Sequence, residues 1–228
     1  MSMGKIYEGF WQNGHANGPG RFIHADGTYY QGDFKDENRH GAGIYQQIDG
    51  SFYEGGWFND SKHGQGKEEF SDCSSYEGTY HRDQKQGEGK LTETDGSTYE
   101  GYFFNDLKSG QGTLAHLDGS SYVGTWQHNK KNGKGTFQFA DGRKYSGDFI
   151  AGKRQGNGTF TWPDGRTYVG QWKDGIKEGH GTFIYPEDGS KYEGEVKNDR
   201  PDGHGTVTKK NGESREALFL NGQRVKWL

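Results

Sequence analysis

The apolar positions of this chain fall in short alternating runs. Tyr-x-Gly-x-aromatic, as in Tyr30-Gln31-Gly32-Asp33-Phe34, gives way to polar residues and then to Gly-x-Gly-x-aromatic, as in Gly41-Ala42-Gly43-Ile44-Tyr45. Alternation of this kind predicts β-strands, and no segment shows the spacing of an amphipathic helix. Intervening positions such as Thr113, Thr136, Thr159, Thr182 and Thr206 are polar and β-branched, as on a solvated sheet face. One face of the predicted sheet is therefore aromatic and glycine-rich, and the other is wet.

The runs repeat. Tyr-x-Gly begins at Tyr7, Tyr30, Tyr53, Tyr76, Tyr99, Tyr122, Tyr145, Tyr168 and Tyr192, a spacing of 23 residues seven times and then 24. Two residues beyond each Gly stands Trp11, Phe34, Trp57, Tyr80, Phe103, Trp126, Phe149, Trp172 or Val196. Gly-x-Gly pairs follow from Gly18, Gly41, Gly64, Gly87, Gly110, Gly133, Gly156, Gly179 and Gly203. A further ring or aliphatic residue lies two positions on, except at Glu68. A fixed period of this length marks a repeat architecture. No boundary interrupts the series, so residues 1–228 read as one domain.

Turn chemistry suggests the strand register. Asp-Gly precedes most Tyr-x-Gly triplets, at Asp26, Asp49, Asp95, Asp118, Asp141, Asp164 and Asp188. A two-residue Asp-Gly turn would put Phe22 on the face of the variable Gln31. A three-residue loop of Asp26, Gly27 and Thr28, with the glycine left-handed in a bulge, sets Phe22 opposite Gly32 and Phe34 opposite Gly20. Across the other, longer loop the same reasoning pairs Phe34 with Gly43 and Tyr45 with Gly32. Every ring is thus expected to face a glycine. The absent side chains make room for rings, each worth roughly 1.5–3 kcal/mol when buried.

Composition agrees with a thin fold. Of 228 residues 41 are Gly and only 28% are hydrophobic, yet 34 are aromatic (14 Phe, 14 Tyr, 6 Trp). The hydrophobic fraction is too small to fill a conventional two-layer core, which excludes most enzymes of this length. A formal net charge of −4 with abundant rings also sets the chain apart from disordered segments and argues against nucleic-acid binding. The lone Cys73 excludes an intramolecular disulfide and a multi-cysteine zinc site, and fits a reducing compartment. The N-terminal stretch carries no secretory signal and no apolar run is long enough to span a bilayer, so the expected address is cytoplasmic.

The stretches YEGGWFNDSKHGQGKEEF and YVGQWKDGIKEGHGTFIYPEDG resemble the MORN (membrane occupation and recognition nexus) repeat, with nine copies over about residues 7–213. REALFLNGQ is similar to a degenerate half-repeat, with Arg215 in the Tyr slot, Ala217 in the Gly slot and Phe219 keeping its ring, within a cap of residues 214–228. The resemblance implies an all-β fold: an elongated, single-layer, twisted antiparallel sheet of tandem β-hairpins. It also implies a scaffold role, in cytoskeletal settings that include cilia and flagella.

Candidate chemistry is sparse. The histidines are scattered, no metal or cofactor is expected, and no nucleophile, base or metal set converges, so a non-enzyme is expected. Gly-x-Gly lies inside strands here and is no phosphate loop. Two candidate surfaces remain. One is the aromatic–glycine groove, with Trp57, Glu68, Phe103, Trp126, Phe137, Phe160 and Trp172 as contacts for a protein partner of cytoskeletal or axonemal type. Glu68, replacing a ring, leaves a gap there that suits a partner's basic or hydroxyl group. The other is a row of bases two residues ahead of each Gly-x-Gly: Arg39, Lys62, Lys85, Lys108, Lys131, Arg154 and Lys177. Along a ribbon edge this row would meet an acidic partner or, in the alternative reading, an anionic membrane surface of phosphoinositide type. Aspartates in the same loops, such as Asp36, Asp60 and Asp174, would offset part of that charge. Cys73 replaces a turn glycine, so its loop must change conformation or carry strain. Terminal strands also offer unpaired backbone groups to a second copy, giving a homodimer through the ribbon ends as a further expectation.

Overall fold

The computed structural model describes residues 4–228. Its regular structure is entirely β: twenty strands of five to ten residues. The chain divides into two units, residues 1–117 and 118–228. The first contains ten strands, from β1 (Ile6–Gln12), β2 (His15–Ile23), β3 (Tyr29–Lys35) and β4 (Asn38–Gln46) to β10 (Leu107–Ala115). The second runs from β11 (Ser121–Gln127) to β19 (Ser214–Leu220) and β20 (Gln223–Trp227). Within each unit the pairings are antiparallel and join strands consecutive in the chain, and all substantial contacts run between such neighbours. Each unit is thus a single open layer, as the alternating pattern requires.

The register differs from the sequence-based expectation at both kinds of turn. Phe22 lies opposite Tyr30, Gly20 opposite Gly32 and Gly18 opposite Phe34. The loop does have three residues and a left-handed glycine, Gly27 at φ 95°, but it begins one residue earlier than expected. His24 and Thr28 close it, the His24 N–H donating to the Thr28 carbonyl at 2.8 Å. Asp26 explains the offset: its Oδ1 accepts the N–H of Thr28 at 2.9 Å, which fixes the aspartate at the loop's centre rather than at its start. The same bond from the residue two positions on recurs at Asp49, Asp72, Asp95, Asp118, Asp141, Asp164 and Asp188.

At the second turn Tyr45 lies opposite Tyr30 and Phe34 opposite Arg39, so neither ring meets the glycine expected of it. The connection is a tight two-residue turn, Asp36-Glu37, with both residues at positive φ (47° and 70°). That is the type I′ geometry that suits the twist of hairpin strands. Asn59-Asp60, Arg82-Asp83, Asn105-Asp106 and Asn198-Asp199 repeat it. The residues expected in a long loop instead form a bulge inside the strand, where the register shifts between Gly32 and Asp33. The first glycine of each Gly-x-Gly pair takes the positive φ of that bulge, Gly41 at 64° and Gly156 at 64° among them.

Glycines face glycines. Gly9–Gly20, Gly20–Gly32, Gly32–Gly43 and Gly43–Gly55 are direct cross-strand pairs, and the column continues along the first unit. Only the tyrosine of Tyr-x-Gly makes use of the bare backbone. A Cβ at Gly43 would meet Tyr30 Cζ at 2.4 Å, so the ring lies flat across the Gly32–Gly43 pair. Tyr53, Tyr76, Tyr99, Tyr122, Tyr145 and Tyr168 are at most 1% exposed in the same pose. Ring edges then meet ring faces: Tyr30–Phe34 at 5.0 Å and Tyr30–Trp57 at 5.4 Å are both T-shaped, as are Tyr145–Phe149 and Tyr145–Trp172. Such pairs add about 0.5–1.5 kcal/mol beyond burial. This zigzag of rings is the core.

The C-terminal half-repeat keeps the pattern. Val207 faces Arg215, Gly205 faces Ala217 and Gly203 faces Phe219. Ala217 is fully buried in the glycine slot, and β20 pairs with β19 as the last strand.

Candidate functional site

The bases stand beside the two-residue turns, each the second residue of its returning strand, but their side chains turn inward. Cross-strand pairing sets each one opposite the third-slot ring of its own repeat: Arg39 opposite Phe34, Lys62 opposite Trp57, Lys108 opposite Phe103, Lys131 opposite Trp126, Arg154 opposite Phe149 and Lys177 opposite Trp172. Opposed residues share a face, so the row lies over the rings. Arg39 Cζ sits 4.2 Å from the Trp57 ring centre and Arg154 Cζ 4.4 Å from that of Trp172. Lys62 Nζ is 5.0 Å from Tyr53, Lys85 Nζ 5.3 Å from Tyr76, Lys108 Nζ 5.2 Å from Tyr99 and Lys131 Nζ 4.2 Å from Phe137. Cation–π contacts of this kind contribute about 0.5–2 kcal/mol, more as the head group loses water. Burial holds Lys131, Arg154 and Lys177 below their ordinary pKa values.

This cover closes much of the aromatic face and leaves the rest half-buried. Trp57, Phe103, Trp126, Phe160 and Trp172 are buried, at 1–5% exposure, and only Phe137 among the expected ring contacts is half-buried. What the face offers outward is therefore the row of cationic heads. Arg39 is paired with Asp60 at 3.2 Å, Lys108 with Glu93 at 3.0 Å and Lys177 with Asp199 at 3.4 Å. The guanidinium of Arg154 donates to the Gly175 carbonyl at 2.5 Å. Lys85 and Lys131 have no carboxylate within ion-pair distance among the described residues.

At Glu68 the chain supplies both groups that were expected from a partner. Lys62 Nζ donates to one carboxylate oxygen, and the Tyr80 hydroxyl donates to the other at 2.7 Å. The ammonium of Lys62 thereby bridges the position where other repeats carry a ring, and burial with the adjoining carboxylate pushes the Tyr80 phenol far up. The exchange leaves a hollow of about 240 Å³ lined by Arg39, Tyr45, Tyr53, Trp57, Lys62 and Glu68. In the second unit a 400 Å³ hollow opens beside Trp162, Lys177, Phe183 and Tyr185 where Pro201 takes the base slot.

The opposite face differs between the units, a contrast that sequence reading passed over. In the first unit its central column runs Glu54, Lys67, Glu77, Lys90, Glu100 in direct cross-strand succession. In the second unit the same column starts Val123, Thr136, Ser146, Thr159, Val169, Thr182, without charge, and regains carboxylates only further on, at Glu193 and Glu216. Among the described residues no three His, Cys, Asp or Glu side chains gather as metal ligands, and no helix is long and apolar enough to cross a membrane.

Tandem hairpins, a tyrosine over a glycine pair in each, and a second, buried ring in the second to eighth repeats define a β-repeat protein. The family model for the MORN repeat matches nine times, at residues 7–29, 30–52, 53–72, 76–98, 99–121, 122–142, 145–165, 168–190 and 192–214, and the chain belongs to the MORN repeat family. That family is an interaction and scaffold repeat type rather than a catalytic one. A search of curated proteins returns no match. Among solved structures the chain is similar to the TCP10 domain of Danio rerio CPAP, with 12% identity, a TM-score of 0.49, and coverage of 89% of this chain and 95% of that one. It is also similar to the SAS-4 (dCPAP) TCP domain of Drosophila melanogaster, in complex with a proline-rich motif of Ana2. There the identity is 13%, the TM-score 0.44, and the coverage 68% of this chain and 85% of that one.

Proposed function

We propose that this protein is a non-enzymatic scaffold that holds a segment of another protein against its ring-and-base face, with the nine repeats serving as one domain. The observation that carries this reading is the placement of Lys85 and Lys131. Each ammonium lies over rings, 5.3 Å from Tyr76 and 4.2 Å from Phe137, without an acidic partner of its own among the described residues. A cation held against a low-dielectric aromatic floor attracts a carboxylate more strongly than one free in water. The partner sequence is accordingly acidic, and its apolar side chains would rest in the hollow beside Trp57 where it meets the first unit and on Phe137 where it meets the second. Family membership supports a cytoskeletal setting, with cilium or flagellum as the specific proposal and the cytoplasm as the compartment.

Capture from native cytoplasm tests it. The tagged chain should retain one or a few cytoskeletal proteins, and K85E with K131E should lose them at a temperature where circular dichroism shows the sheet intact, although melting falls with the lost cation–π contacts. Retention that survives both substitutions would overturn the reading. Binding instead to vesicles containing phosphoinositide, lost with the same substitutions, would transfer the face to a membrane role.

A further inference from the structure

We infer that the hollow at Glu68 receives one aromatic side chain of the partner, a tyrosine or tryptophan whose ring lies against Lys62 and whose O–H or N–H reaches the Glu68 carboxylate. The inference rests on the proposed reading of the ring-and-base face and supplies its partner with an anchor. Two residues beyond Gly-x-Gly stand the rings Phe22, Tyr45, Phe137, Phe160 and Phe183, but in the third repeat Glu68. In three of the ring-bearing repeats the base covers the ring. Arg39 Cζ is 5.2 Å from Tyr45, Lys131 Nζ 4.2 Å from Phe137 and Arg154 Cζ 5.7 Å from Phe160. Lys62 has rings on its other sides, 5.0 Å away at Tyr53 and 5.5 Å away at Tyr80, but none in this slot. The space of the missing ring is the hollow of about 240 Å³.

Charge decides which side chain fits. The hollow holds two cationic heads, Arg39 and Lys62, and two carboxylates, Glu68 and Asp83, around the rings of Tyr45, Tyr53 and Trp57. An entering Asp or Glu would meet the carboxylates, and an entering Lys or Arg the cations. An aromatic ring satisfies both signs, since its negative face suits the cations and its positive edge the carboxylates, and an aliphatic side chain has neither. Glu68 narrows the choice further. One of its oxygens accepts from the Lys62 ammonium and the other from the Tyr80 hydroxyl, which leaves each with a second lone pair for a donor on the guest. Tyrosine and tryptophan carry such a donor, and phenylalanine does not. The receiving wall is also fixed in place, because the Trp57 indole N–H donates to the Gly43 carbonyl at 3.0 Å and Arg39 Cζ lies 4.2 Å from the Trp57 ring centre.

Indole is the probe, titrated into the full chain labelled with ¹⁵N. The Trp57 indole N–H resonance, identified by its loss in Trp57→Phe, should shift and saturate. Glu68→Phe puts into the slot the ring that Phe137 and Phe160 supply elsewhere, so it should fold and weaken indole about tenfold or more. Glu68→Gln keeps the hollow and an acceptor oxygen and should bind indole nearly as wild type does. 1-Methylindole, which has no N–H, should bind about fivefold or more weakly. K85E with K131E, which tests the scaffold reading, should leave indole binding unchanged. A Trp57 resonance that does not move, a Glu68→Phe variant that binds indole as tightly as wild type, or equal affinity for 1-methylindole would overturn the anchor while leaving capture through Lys85 and Lys131 standing. Indole binding lost in K85E with K131E would also overturn it, by placing the probe elsewhere.

Discussion

The hydroxyl of Tyr145 donates to the backbone carbonyl of Asp148, 2.9 Å away, across the glycine that separates ring from bulge. Asp148 stands where the register with the following strand shifts. The ladder is broken at that step, and the phenol takes up a carbonyl beside it. The same i to i+3 bond occurs at Tyr30, Tyr53, Tyr76, Tyr99, Tyr122, Tyr168 and Tyr192. A slot that needed only a flat ring would accept Phe, and in this chain it never holds one.

Tyr145→Phe should therefore destabilise although it keeps the ring. Leaving a buried acceptor without its donor costs about 1–3 kcal/mol. Urea unfolding checks it: the midpoint should fall with an unchanged slope, since no extra surface is exposed. A midpoint equal to wild type would refute the role given to the hydroxyl.

The two glycines of one pair should respond differently to alanine. At Gly158 a Cβ would meet Tyr145 Cε2 at 2.5 Å and displace the core ring, while at Gly156 it would approach only the flexible carboxylate of Asp148 at 3.0 Å. Gly156→Ala bears mainly the left-handed backbone strain, about 1–2 kcal/mol. Gly158→Ala forces overpacking, about 1–3 kcal/mol or more, together with the loss of the Tyr145 bond. Paired denaturation curves should rank Gly158→Ala as the worse, and the reverse order would contradict a ring seated on that glycine.

Much of this was legible in the sequence because period-two alternation and the 23-residue spacing report side-chain direction directly. Fold class, strand count per repeat and the slots of the half-repeat at Arg215, Ala217 and Phe219 follow from it. Register was less legible. Alternation cannot distinguish pairings that differ by two, and the clue lay in the Asp26 side chain reaching Thr28 and in the Asn/Asp pairs of the I′ turns. The direction of the bases was not legible either. Spacing put them beside the turns, where they are, but only the two-residue turn with its bulge shows that Lys62 and its equivalents fold back over the rings. Cys73 accords with its expectation: it holds φ 67° in the same loop, so the strain is carried rather than avoided.

The Lys62–Glu68 pair should behave as a half-buried ion pair, with side chains 20% and 15% exposed. Glu68→Ala removes the acceptor of both Lys62 and Tyr80 and should cost about 1–3 kcal/mol. Replacing both, as K62M with E68L, restores the apolar slot that other repeats fill and should be neutral or stabilising by about 1–4 kcal/mol. A double-mutant cycle on thermal stability decides this. If E68A and the double variant were equally unstable, the pair would not be acting as a unit.

Alkaline pH should unfold the protein through its tyrosines. Burial raises the phenols of Tyr99, Tyr122, Tyr145 and Tyr168 to about 12, and burial with the nearby Asp106 does the same for Tyr76. An unfolded chain releases these protons near pH 10. Below about pH 10 both states hold them, and the stabilisation is present in full. Between that pH and about 12 the unfolded state binds fewer protons than the folded one, so stability falls as pH rises. Melting midpoints should stay level up to the lower limit and then drop steeply, with tyrosinate absorbance appearing together with loss of the β signal. Tyr145→Phe removes one of the linked protons and should make the drop shallower. Tyrosinate forming near pH 10 with the sheet intact would show that the phenols are not held by the fold.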